Sequence, residues 1–101
     1  MTDLQSSAPT SKPRLLFFYS LQDGRSRRVE GYLAQVLQRR QNHDTFVVHR
    51  IEMTGRPDLA ERFNVDPGPA LMVVEDKVLR ARLDAPKNAK SIGQMLGPWL
   101  R

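Results

Sequence analysis

The chain has 101 residues, of which 40% are apolar and 27% charged, with a formal net charge of +5 at pH 7. That length accommodates one modest hydrophobic core rather than two. With no cysteine, disulfides, thiolate nucleophiles and thiolate-bound metals are excluded. The two histidines, His43 and His49, fall short of the three or four ligands on which a metal site converges, and no cofactor is implied.

The opening segment, residues 1–13 (MTDLQSSAPTSKP), has no apolar stretch of the kind a secretory signal needs. Its Ser, Thr, Pro and Ala content reads as a flexible leader to a domain over 14–101. No run nears the roughly 18 to 20 apolar residues of a membrane-spanning helix. A cytoplasmic address is the expectation. RLLFFYS (14–20) is almost continuously apolar, as suits a central strand covered on both faces. From Arg25 to Arg40, Val29, Tyr32, Leu33, Val36 and Leu37 share one helical stripe, which the QNHD turn ends. TFVVHRIEM (45–53) is rich in β-branched residues and predicts a second strand. Gly55 breaks the chain, and Pro57 opens a short helix, PDLAERF, with Asp58 at its positive end. VDPGP (65–69) cannot be regular structure. ALMVV (70–74) predicts a third strand, Glu75-Asp76 a tight turn, and KVLRARL (77–83) a fourth. Leu79, Ala81 and Leu83 are expected on one face of that strand, with Arg80 and Arg82 on the other. A last helix, about 88–100, buries Ile92, Met95, Leu96 and Trp99 and frays at Gly97 and Pro98.

The junction of first strand and long helix, Asp23-Gly24-Arg25-Ser26, is the candidate site. Three readings stay open from the residues alone. Asp23 can cap the helix, accepting from first-turn amides, with Gly24 giving the turn backbone freedom. Arg25, Arg27 and Arg28 crowd a helix start whose dipole disfavours cations, an arrangement that an anion would relieve through free amides and arginine forks. The same arginines also make a docking patch for another protein, for which an acidic surface fits the charge. Ser26 as a nucleophile would need a base at hand, and nothing in the sequence brings His49 close.

The element order, β-α-β-α-β-β-α, resembles that of the thioredoxin-like family, and the resemblance covers nearly all of 14–101. It is carried by the aromatic pair Phe18-Tyr19 running into a four-residue turn and a long helix, by RIEMTGRPDLAERFNV, and by Pro69 just before ALMVV. The fold it implies is an α/β three-layer sandwich with a four-stranded mixed sheet. The resemblance places Pro69 where the family has a cis-proline, so that the backbone at Gly68 faces the 23–26 turn and leaves a shallow peptide groove, with Pro67 stiffening the loop. It also sets Asp23-Gly24-Arg25-Ser26 against the family's Cys-Gly-Pro-Cys, Phe17 against its buried acid and Gln22 against its tryptophan. Thiol exchange needs a thiolate to attack sulfur, so a redox-inactive, non-enzymatic member is implied. The expected role is binding a protein or peptide through Asp23, Gly24, Arg25, Ser26, Arg27, Arg28, Gly68 and Pro69. The alternative is binding of nucleic acid or a phosphate anion at the basic helix start, with Arg39, Arg40, Arg80, Arg82, Lys87 and Lys90 extending the patch if they share a face.

Overall fold

A computed structural model of the chain describes residues 12–65 and 68–100. Residues 1–11 of the expected leader lie outside them, as do Pro67 and the side chains of Arg40 and His43. The elements are β1 (Arg14–Tyr19), α1 (Gly24–Gln38), a 3₁₀ helix (Arg39–Asp44), β2 (Val47–Glu52), α2 (Pro57–Arg62), β3 (Ala70–Glu75), β4 (Val78–Asp84) and α3 (Ala89–Leu96). The strands form one mixed sheet in the order β2-β1-β3-β4. β1 runs parallel to β2, as a crossover through a helix requires. β3 is antiparallel to both β1 and β4.

Alternation along β1 divides the interior in two. Leu15 and Phe17 point to one face, where they meet Val29, Leu33 and Val36 of α1, Leu71 and Val73 of β3, and Ile92 and Leu96 of α3. Leu16 and Phe18 point to the other, with Ala70, Met72 and the smaller cover of Leu59, Phe63 and Val65. Because both faces are covered, β1 and β3 are apolar almost throughout, while the edge strand β2 is only partly buried.

Four predicted features change in detail. The QNHD turn is part of the 3₁₀ helix, anchored by buried Asn42. Its Nδ2 donates to the Arg39 carbonyl at 2.6 Å and its Oδ1 accepts from Thr45 Oγ1 at 2.9 Å. α3 stops at Leu96 rather than continuing to 100, and Trp99 packs edge-on against Phe46 from the following turn, with centroids 6.3 Å apart. In β4 the pairing steps from Val73↔Ala81 to Val74↔Leu79, so Arg80 is the extra residue of a β-bulge. Leu79 therefore leaves the face shared by Ala81 and Leu83 and is 46% exposed, which corrects the expected alternation.

The hairpin turn is at Asp76-Lys77, one residue beyond the predicted place, and both residues have positive φ, 53° and 67°. This is the two-residue geometry whose twist matches the strands, and it is normally taken by Asn-Gly. A lysine in that region is strained, so Lys77→Gly is expected to raise unfolding stability by about 0.5–1 kcal/mol once glycine's greater chain entropy is set against the relief. Urea titration of the two proteins measures it, and a less stable glycine variant counts against the turn assignment.

Candidate binding site

β1 ends at Tyr19, and a tight turn follows, closed by the Asp23 amide donating to the Ser20 carbonyl at 3.2 Å. Asp23 has extended backbone and caps α1, its carboxylate accepting from the Arg25 amide at 2.9 Å, as expected from the sequence. The Arg25 side chain folds back onto the same carboxylate. Nε lies 3.2 and 3.1 Å from the two oxygens and Nη2 lies 2.9 Å from Oδ2. The Asp23 carboxylate supplies at the helix start the negative charge that its dipole favours and neutralises one of the crowded arginines.

Ser26 faces inward and is 3% exposed. Its Oγ accepts from the Ser20 amide at 2.9 Å, which ties the first turn of α1 to the end of β1. Gly24 is the first helical residue, and no glycine among the described residues has positive φ. The freedom expected of Gly24 is therefore unused, because a normal helical conformation begins there.

The 68–69 loop stands beside this turn. A Cβ built on Gly68 would sit 3.3 Å from Arg25 Nη2 and 3.5 Å from Cζ, so the guanidinium lies directly against the Gly68 backbone. Pro69 is buried and its carbonyl accepts from the Ala85 amide at 2.7 Å. No peptide bond among the described residues is cis. Gly68–Pro69 is thus trans, contrary to what the resemblance implies, in the form that an X–Pro bond prefers intrinsically by about 0.5–1 kcal/mol.

The other arginines separate. Arg25, Arg28 and Tyr32, at spacings of three and four, line a cavity of about 370 Å³ whose far wall is Ala85, Pro86 and Lys87. Arg27 turns to the opposite side, into a small cleft of about 100 Å³ with Tyr19, Ser20, Leu21, Asp23, Ser26 and Glu30. Leu21, in the turn, is 76% exposed.

The wider basic patch does not form one surface. Arg80 is paired with Glu75 at 3.7 Å. Arg82 binds Asp84 and donates to the Phe63 and Asn64 carbonyls at 2.6 and 2.9 Å, closing the end of α2. Arg39 and Lys90 line a different cavity, between α1 and α3. Among the described side chains of that set, only Lys87 joins Arg25 and Arg28. His49 pairs with Leu16, on the sheet face away from α1 and Ser26, and accepts from Arg14 Nη1 at 3.0 Å. It is no base for Ser26.

The Arg25 side chain, followed by its backbone amide, its charge and that of Arg28, holds the Asp23 carboxyl below its ordinary value of 3.8. A carboxyl lowered on folding stabilises the folded state fully above its unfolded pKa, and that contribution fades as pH falls through the folded one. Melting temperature is therefore expected to fall less steeply below pH 4 in Asp23→Asn than in wild type, since the amide keeps the cap but does not titrate. Parallel curves from pH 5 to 2 would remove Asp23 as a source of acid sensitivity.

No protein-family model matches the chain, and no curated protein matches it by sequence. Solved structures do match. The germline-specific thioredoxin Deadhead of Drosophila melanogaster superposes with a TM-score of 0.76 at 20% identity, over 90% of this chain and 84% of that one. Trxlp of Edwardsiella tarda gives 0.74 at 14% identity, over 91% and 85%. Mitochondrial thioredoxin 3 of Saccharomyces cerevisiae gives 0.72 at 16% identity, over 88% and 80%. The fold is thioredoxin-like.

Within this thioredoxin-like fold, the turn 23–26 and the 68–69 loop adjoin, as the resemblance implies, but Arg25 fills the space between them. Sequence reasoning did not single out Leu21, Tyr32 or Pro86. The signal for Leu21 was a leucine stranded in an otherwise polar turn. Tyr32 belongs to the core stripe by its spacing, and it lies at the margin of that stripe, half-buried.

Proposed function

We propose that this thioredoxin-like domain carries out no dithiol chemistry and acts as a binding module for a protein or peptide. The observation that carries the reading is the contact between the Arg25 guanidinium and Gly68. The two loops that adjoin in this fold are closed over by a planar cation clamped by Asp23, and exposed Leu21 stands in the same turn. An apolar side chain beside an oriented guanidinium is the combination from which protein-binding sites are commonly built. With no cysteine in the chain, no thiolate is present to open a disulfide.

Nucleic acid is less well supported. Single-stranded binding draws on aromatic rings open to base stacking. None of the seven aromatic residues is exposed, Phe17, Phe18 and Phe46 being buried and the others half-buried.

A photo-crosslinking residue at position 21 is expected to give discrete protein adducts in cell extract, and one at Leu79, on the far face of the sheet, is expected to give none. Changing Arg25, Arg27 and Arg28 to Glu should reduce adduct yield by about tenfold or more, as for residues at the centre of an interface. Insulin reduction should stay at the buffer rate in every variant. Equal yield from positions 21 and 79, or yield indifferent to charge reversal, rejects the proposal.

A further inference from the structure

We infer that the cavity between the first turns of α1 and the 85–87 segment is a pocket for a phosphate monoester carried on a short organic stem. Its walls bring together three cations, Arg25, Arg28 and Lys87, from two segments far apart in sequence, with Tyr32, Ala85 and Pro86 completing the lining. At about 370 Å³ it lies in the range of small-ligand sites.

The charge balance selects the ligand. Arg25 is matched by Asp23. Among the described residues, neither Arg28 nor Lys87 has an acidic group within ion-pair distance. Two positive charges without a direct ion-pair partner, Arg28 being only weakly balanced by the Asp23 carboxylate, suit a phosphate monoester, which carries about −1.5 to −2 at pH 7, better than a single carboxylate. An arginine and a lysine also divide the work well, since the guanidinium presents a fork to two oxygens and the ammonium acts as a compact point charge. Tyr32 supplies an amphipathic wall, with a ring for the stem and a hydroxyl for an oxygen. The far wall is held in place, because the Ala85 amide donates to Pro69 at 2.7 Å, and Ala85, with φ 45°, turns the chain to present Pro86 and Lys87.

This pocket does not depend on the protein-binding reading, because a free small molecule and a phosphorylated side chain present the same group. Titrating phenyl phosphate into the ¹⁵N-labelled protein at low salt is expected to shift the amides of Arg28, Tyr32 and Lys87, with benzoate binding about tenfold more weakly for its single charge. Arg28→Gln and Lys87→Gln should each weaken phenyl phosphate about tenfold or more, while Arg62→Gln, beside a different cavity, should not. Affinity should drop from pH 7.5 to 5 as the second phosphate proton returns, at a pKa of about 6. Tighter binding of a phosphotyrosine peptide assigns the source to a protein, whereas equal affinity assigns it to a small phosphomonoester. Absence of binding at millimolar phenyl phosphate, or binding unchanged in both glutamine variants, overturns the pocket. Crosslinking at position 21 that persists in that case leaves the binding module standing without it.

Discussion

Phe17→Asp is expected to leave the chain unfolded at neutral pH, although an acid is what the thioredoxin resemblance sets at this position. Phe17 has no solvent exposure, and it sits in the larger cluster between α1, α3 and the sheet, with the Tyr19 ring 5.4 Å away. Removing the ring alone, as in Phe17→Ala, is expected to cost about 3–5 kcal/mol in lost burial and cavity formation. Set against roughly 5–15 kcal/mol for a whole domain, that already makes the protein marginal. An aspartate there adds the cost of desolvating a carboxylate, so the group either folds protonated, with a strongly raised pKa, or does not fold. Circular dichroism melts of wild type, Phe17→Leu, Phe17→Ala and Phe17→Asp should show that order of falling stability. A Phe17→Asp protein melting within a few degrees of wild type would show that the interior holds a polar niche at this place and that the core assignment is mistaken.

Ser26→Ala is expected to have the second largest effect despite removing a single oxygen. The lost Oγ, on a side chain only 3% exposed, is the acceptor for the amide of half-buried Ser20. A fully buried donor deprived of its partner costs about 1–3 kcal/mol, and the part-buried Ser20 amide falls at the low end, about 1 kcal/mol, which for a domain of this size is a fall of roughly 4–8 °C in melting temperature. The accompanying signature is local, with amide exchange at Ser20 accelerating while that of Leu71 and Val73 follows global stability. Ser26→Thr, which keeps the hydroxyl, should recover part of the loss. If Ser26→Ala melts with wild type and the Ser20 amide stays protected, another group takes over and the hydroxyl is dispensable. The residue that a catalytic reading would have made a nucleophile is, on this account, a structural tie between strand and helix.

What the sequence reveals follows the range of the interactions concerned. β1, α1 and the Asp23 cap are legible because each is written in neighbouring residues, as an apolar run, a stripe of spacing three and four, and a capping carboxylate. The order of elements carried the architecture with them. The bulge at Arg80 is not legible, since Leu79, Ala81 and Leu83 alternate perfectly and only pairing with β3 shows that a residue is extra. Asn42 reads as a turn residue until its two hydrogen bonds show it buried inside the 3₁₀ helix. The site was legible in one half. The sorting of the arginines at the helix start, with Arg25 and Arg28 three apart on one side and Arg27 on another, follows from helical spacing, but the arrival of Lys87 beside two of them depends on where the distant 85–87 segment lies. The seating of Arg25 against Gly68 is likewise a contact across more than forty residues, with only the absence of a side chain at 68 to hint at it.

The bulge has an effect beyond the monomer. A pleated margin with regular spacing is a template on which a second chain can lay down a matching ribbon, and a doubled residue interrupts the run of donors and acceptors that such growth requires. At β4 the interruption carries a guanidinium, so that boundary of the sheet resists fibril-like stacking by shape and by charge together. The opposite boundary, at β2, keeps an unbroken register with β1 from Val47 to Glu52, so it has the charge of Arg50 but no bulge. If crowding or heat ever drives copies of this protein to polymerise edge to edge, the β2 margin is where the first seam opens.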